Sequence, residues 1–353
     1  MKTRVGWVLL AVFILLLTPQ IGVATPQQAE STYTGLPWAY GFPTSAPPGE
    51  PARAPARGRG AGAPTAPTED TETLRHLPAA TNAFNLKQID DNYGPADWFP
   101  SDHPQMPEPV AHGRKPDVPA CSFCHYPNGK GRPNNAGPAG LPAAYILQQL
   151  EDFRDGARKS WDTRKRNTTQ MITIAKGLKD DEMKVAAEYF ASMKWTPWIK
   201  VVETETVPKT QFLGGGGGLS VPIEGAEAGT EPIGHRLVEV PANPEETEPL
   251  RNPRSGFIAY VPVGTLKKGE ALVTRGGDGK TVACAACHGE GLKGNGNFPS
   301  LAGRSPSYLA RQLYDMQHFT RVGPGSQLMQ QVVEKLSEDD ILAITAYIAS
   351  LAP

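Results

Sequence analysis

Apolar positions recur at helical spacing in two separate parts of the chain, and the two parts resemble each other. In the first, the pattern predicts a middle helix from about Ala143 to Phe153 and a terminal helix from about Asp180 to Met193. In the second, it predicts a short leading helix over Gly269 to Val273, a middle helix over Ser307 to Phe319 and a terminal helix over Ser337 to Leu351. Ser337 suits an N-cap, with Asp340 three residues on as a capping-box variant. No leading helix is visible in the first part. Tyr145-x-x-x-Gln149-Leu150-x-Asp152 matches Tyr308-x-x-x-Gln312-Leu313-x-Asp315. Leu178, Asp181, Tyr189, Ala191 and Ser192 match Leu336, Asp339, Tyr347, Ala349 and Ser350. The pattern is that of one mainly α domain present twice.

The remaining stretches read differently. Residues 200–262 contain an unbroken glycine run, Gly214 to Gly218, which marks flexibility. Within them Arg236–Val240 and Gly256–Val261 are β-branched or aromatic enough for short strands, and a small β-hairpin is expected. Residues 25 to about 80 are rich in Pro, Ala, Gly and Thr and cannot bury enough apolar area to offset chain entropy, so a flexible tether is expected. Its exception is Gly35–Phe42, where Trp38, Tyr40 and Phe42 alternate with small residues and suit a segment packed on a domain surface. Residues 81–120, with Trp98-Phe99-Pro100, read as an ordered but irregular approach to the first domain.

The N-terminus has a basic start (Lys2, Arg4), an apolar run from Val5 to Leu17 and small residues at Gly22-Val23-Ala24. This predicts a secretory signal cleaved near Ala24, hence a periplasmic protein. The alternative is an uncleaved membrane anchor, since Val5 to Ala24 reaches the roughly 20 residues a bilayer needs. Pro19-Gln20 spoils its second half. The expected organisation is therefore signal 1–24, tether 25–80, first domain 81–199, insertion 200–262 and second domain 263–353.

Composition narrows the function. The chain has 353 residues, 37 Gly and 35 Pro, and a formal net charge of −1, so it lacks the basic footprint of a nucleic-acid binder. All four cysteines lie in two pentads, Cys121-Ser122-Phe123-Cys124-His125 and Cys284-Ala285-Ala286-Cys287-His288. None is left for a disulfide.

The pentads have a specific chemical logic. Two thiols separated by two residues can add to the two vinyl groups of one haem, and the adjacent imidazole then ligates the iron. Zinc needs four ligands, commonly from two close pairs, whereas these pairs stand 163 residues apart, each followed by His. A redox C-x-x-C needs a βαβ setting that the pattern does not show. Two covalently bound haem c groups are expected, with His125 and His288 as fifth ligands.

The sixth ligands are expected at Met171 and Met329, which align when the copies are registered on Leu178 and Leu336. Each precedes the terminal helix in a loop-like stretch. A thioether stabilises reduced iron, as an electron carrier requires. His103, His112, His318, His76, His235 and Met106 have no counterpart in the other copy and are read as surface or packing residues; Met316 is read as core or haem packing. The carbonyl of Pro299 suits the His288 Nδ1–H, while in the first copy Ala136-Gly137-Pro138 displaces the proline.

With these residues in hand, the chain resembles class I cytochromes c, and within them the dihaem cytochrome c4 type, over about residues 115–195 and 265–353. The resemblance implies two tandem class I domains and a carrier of single electrons with no catalytic residue. It implies redox-protein partners: a respiratory donor, and a terminal oxidase or periplasmic reductase. The stretch 200–262 is longer than the linker that family implies. Two other functions are the cytochrome subunit of a periplasmic dehydrogenase complex, with the tether and insertion as docking elements, and a dihaem peroxidase, which would need an iron with an open position. The paired methionines oppose the last.

Overall fold

The computed structural model describes residues 35–44, 71–214 and 217–353. The expected signal or anchor at 1–24 lies outside them, and among the described residues no helix is long and apolar enough to cross a membrane.

Both helical copies form. The first has helices at Cys121–His125, Ala143–Arg154, Arg166–Gly177 and Asp180–Ala191. The second has Thr265–Arg275, Ala285–His288, Pro306–Gln317, Gln327–Val333 and Glu338–Ser350. The leading helix of the second copy runs well beyond the predicted Gly269–Val273. It ends at Gly276 in the left-handed region (φ 76°), whose N–H bonds back to the Leu272 carbonyl. Gly269 lets this helix lie against the terminal helix, since a Cβ there would collide with the Ala343 carbonyl. In the first copy only the four-residue helix Glu108–Ala111 stands in that place. It begins just after Pro107, and Pro109 sits in its first turn.

The terminal helix Glu338–Ser350 is capped as its sequence suggested. Ser337 Oγ accepts from the Asp340 N–H, and Asp340 bonds back to the Ser337 N–H. Ile341, Leu342, Ile344 and Ile348 bury its apolar face against Leu272, Val273 and Leu309. Met171 and Met329, expected in loops, are instead helical, within Arg166–Gly177 and Gln327–Val333. Neither stretch contains proline, so none interrupts the helix.

The insertion holds more order than the expected hairpin. Among the described residues it has seven strands: β1 (Ile199–Glu203), β2 (Thr206–Pro208), β3 (Thr210–Leu213), β4 (Leu219–Pro222), β5 (Thr230–Pro232), β6 (Val238–Pro241) and β7 (Phe257–Val261). The predicted pair, β6 and β7, is antiparallel. β7 also receives β1 in parallel, giving the order β1-β7-β6, while β2 pairs with β5 and β3 with β4. Short strands escaped notice because three residues carry too little alternation to read.

The segment excepted from the tether, Gly35–Phe42, enters the second domain's core where packing on a domain surface was expected. Pro37–Tyr40 is a helical turn closed by Gly41 in the left-handed region. Leu36, Trp38 and Tyr40 are buried in the second domain's core, with Leu309 and Tyr314. Three large apolar groups in eight residues bury enough area to hold a segment whose flanks are Pro-rich. Residues 71–103 also fold, with Leu77, Leu86, Ile89, Trp98 and Phe99 in a cluster of their own.

Candidate functional site

Each pentad forms a short helix, and in each the histidine faces a cavity. The first cavity, about 510 Å³, is lined by Cys121, Cys124, His125, Met171, Leu178 and Phe190 among others. The second, about 440 Å³, is lined by Cys287, His288, Met329, Met316 and Leu309 among others. Cys284 packs against the second domain's core. Thus each predicted His–Met pair lines a single cavity.

The proximal geometry repeats. His125 Nδ1 lies 2.8 Å from the Ala136 carbonyl oxygen, and His288 Nδ1 lies 2.8 Å from that of Pro299. Donation by Nδ1–H fixes the tautomer and leaves Nε2 as the free lone pair. The displaced proline of the first copy therefore changes nothing at this position, because the acceptor is a backbone carbonyl and Ala136 supplies one. Burial holds both imidazoles below their ordinary pKa, hence neutral, as a metal ligand must be.

The first thiol of each pentad is not poised for redox chemistry of its own. Burial pushes Cys121 up to about 12 and Cys284 up to about 11. A catalytic C-x-x-C needs the opposite shift. Among the described residues no group of three or more His, Cys, Asp or Glu could hold a metal ion.

The rejected ligands lie outside both cavities. His103 sits between Asp97 and Tyr189. His112 bonds to the Tyr93 carbonyl. His318 stacks on Tyr314 with ring centroids 4.0 Å apart. His235 is exposed near Asp339, and Met106 packs in the first domain's core.

A wall is shared by the two cavities, and sequence reading missed it. Arg132, Asn135, Leu141, Tyr145, Gln149 and Tyr308 line both. Across it Arg158 donates to Gln149 Oε1 (3.1 Å), Tyr308 Oη (3.1 Å) and Gln312 Oε1 (2.8 Å). Arg321 does the same in mirror order, to Gln312 Oε1 (3.1 Å), Tyr145 Oη (2.9 Å) and Gln149 Oε1 (2.8 Å). The signal was present: each arginine stands 13 residues after the repeated tyrosine. Arg304 adds a third link, donating to the Gly137 and Ala139 carbonyls at 2.7 and 3.1 Å.

The cavities fit a haem each. They have the volume of a cofactor site, with largely apolar walls. Arg132 Nε and Arg321 Nε are buried with no hydrogen-bond partner. Buried donors of that kind await acceptors, and the carboxylates of a macrocycle would supply them.

Both domains are similar to known proteins. The family model for cytochrome c matches residues 110–194 and again 266–352. A thiosulfate dehydrogenase electron acceptor of Stutzerimonas stutzeri is 26% identical over 242 residues, 68% of this chain and 82% of that protein. Cytochrome c4 of Pseudomonas aeruginosa is 26% identical over 237 residues, 65% of this chain and 83% of that protein. Cytochrome c-554(548) of Halomonas halodenitrificans is 35% identical over 75 residues, 21% of this chain and 90% of that protein.

Proposed function

Since the chain belongs to the cytochrome c family, with two tandem domains and two covalently bound haem c groups, we propose that it shuttles electrons between respiratory proteins in the periplasm. It is a dihaem electron carrier similar to cytochrome c4. In this reading Cys121 and Cys124 hold one haem and Cys284 and Cys287 the other. His125 and Met171 ligate the first iron, and His288 and Met329 the second. Each haem supplies one reversible Fe(III)/Fe(II) couple.

The protein's own residues set the terms of that couple. The Ala136 and Pro299 carbonyls orient the imidazoles. The apolar walls keep water from the iron, and Met sulfur favours the reduced state. Arg132, Arg158 and Arg321 hold positive charge at the shared wall, where haem carboxylates would lie. With His and Met both bound, the iron would have no position for a substrate, and transfer would be outer-sphere. The observation that carries the reading is the repeated set: His Nδ1 at 2.8 Å from a carbonyl, with His and Met lining one cavity, twice.

A redox titration followed by haem absorbance tests it. Two high-potential, six-coordinate centres are expected. A low-potential haem with peroxide-dependent turnover would overturn it. The name of one relative favours a second reading, in which the electron donor is a periplasmic dehydrogenase. Isolation of a stable complex with such an enzyme would support that version.

A further inference from the structure

The two pentads are alike in chemistry but not in surroundings. The segment 248–254 of the insertion lies over the first. Arg251 donates to the Phe123 carbonyl, and its guanidinium sits 4.2 Å from the Phe123 ring centroid and 5.8 Å from that of Tyr126. Asn128 Nδ2 donates to the Pro253 carbonyl at 3.1 Å, and Glu248 pairs with Arg132 at 2.6 Å.

The segment is itself anchored from the outside. Trp98 Nε1 donates to the Leu250 carbonyl at 2.8 Å. Arg254 grips Asp102 through two bonds of 2.7 and 2.6 Å and stacks on Phe99 at 3.7 Å. Every residue from Cys121 to Lys130 is buried or half-buried.

Among the described residues the second pentad has no such cover, and its sequence lacks the side chains that grip one in the first. The positions equivalent to Phe123, Tyr126 and Asn128 are Ala286, Gly289 and Gly291. The three side chains that grip the cover in the first copy are thus replaced by a methyl group and two hydrogens. Ala285, Ala286, Cys287, Glu290 and Gly291 are all exposed.

We infer that the segment 248–254 insulates the first haem-attachment edge, and that electrons enter and leave through the second, at Ala285–Cys287. Arg251 is the positioning residue of the cover. Outer-sphere transfer weakens steeply with separation, so several residues of packed chain suffice to disfavour one edge against another. Partners would then meet a collar of small residues at the second pentad, and the first haem would exchange only through its neighbour across the shared wall. The inference rests on the pentads holding haem as proposed above. A haem count is therefore taken first: fewer than two per chain overturns both, and with two present the experiments below bear on the inference alone.

The test uses the ascorbate-reduced holoprotein and two probes. Stopped-flow oxidation by ferricyanide at ~0.1 M ionic strength confines electrostatic influence to about 10 Å. Ala286→Glu is expected to slow oxidation of both haems at least threefold, and Pro249→Glu, on the outer face of the cover, to change it less than 1.5-fold. The inference is overturned if Ala286→Glu has less than that effect, or if Pro249→Glu has more. Hydroxyl-radical footprinting gives a readout free of electron transfer. Phe123 is expected to be protected in the native protein and to become modified in Arg251→Ala. Equal modification of Phe123 in both proteins would mean that Arg251 seats no cover.

Discussion

Arg158 and Arg321 meet across the junction of the two domains as an antiparallel pair. Lys159 N–H bonds to the Thr320 carbonyl and Val322 N–H to the Ala157 carbonyl, both at 2.7 Å. Each guanidinium then reaches back to the glutamine of its own domain and forward to the tyrosine and glutamine of the other. The repeated Tyr-x-x-x-Gln is therefore the half of a two-fold junction as well as a helix-packing motif.

Removing either arginine should uncouple the domains. Arg158→Ala deletes three bonds between buried groups and takes the arginine donor from Tyr308, while Gln149 and Gln312 keep Arg321. A loss of about 3 kcal/mol is expected. Denaturant unfolding should show it as two separated transitions, or one of reduced m-value, where the native protein gives a single transition.

Gly323 is a second point of contact between the copies. A Cβ there would fall inside van der Waals distance of the buried Asp152 carboxylate. Gly323→Ala should cost about 1–3 kcal/mol by forcing the two apart. The neighbouring Gly325 meets nothing within 4 Å, so Gly325→Ala serves as the control. Thermal melts of the two variants should differ by several degrees.

The axial assignment is checked by Met171→Ala and Met329→Ala made singly. Each should lower one haem's potential and change that haem's ligand-field spectrum while leaving the other as it was. Two unchanged irons would refute the assignment.

Acid should weaken the second domain at a definable group. Asp340 is fully buried, which alone would raise its pKa, but Lys268 and Lys280, each at 2.8 Å, and the Ser337 N–H hold it well below the usual carboxylate range. A carboxylate with a depressed folded pKa contributes stability above its unfolded value, near 4, and loses it as pH falls towards the folded value. Stability should thus decline below about pH 4, and Asp340→Asn should flatten that decline while costing about 1–3 kcal/mol at neutral pH. Denaturant titrations from pH 6 to 3 on both proteins would show it.

What the sequence disclosed, and what it hid, follow from range. The pentads, the middle helices and the Ser337 cap depend on neighbours within four residues, and they were legible. The equivalence of Ala136 and Pro299 was not, because the acceptor is a backbone carbonyl and side-chain identity masks it. The helical setting of Met171 was missed because its polar neighbours Asn167, Thr168 and Thr169 read as loop. The burial of Trp38 and Tyr40 depends on a surface over 270 residues away, where Tyr40 Oη donates to Asp315 at 2.6 Å. No local pattern announces such a partner.

The parallel pairing of β1 with β7 has a further meaning. Five residue pairs, from Ile199 with Phe257 to Glu203 with Val261, bring the exit of the first domain alongside the entrance to the second. Everything from 204 to 256 is then a closed excursion, and the spacing of the domains does not depend on its length. The insertion acts as a clasp. Its exposed loop 224–230 can gain residues without altering the pairing it fastens, which makes that loop a natural place to graft a tag or a second module.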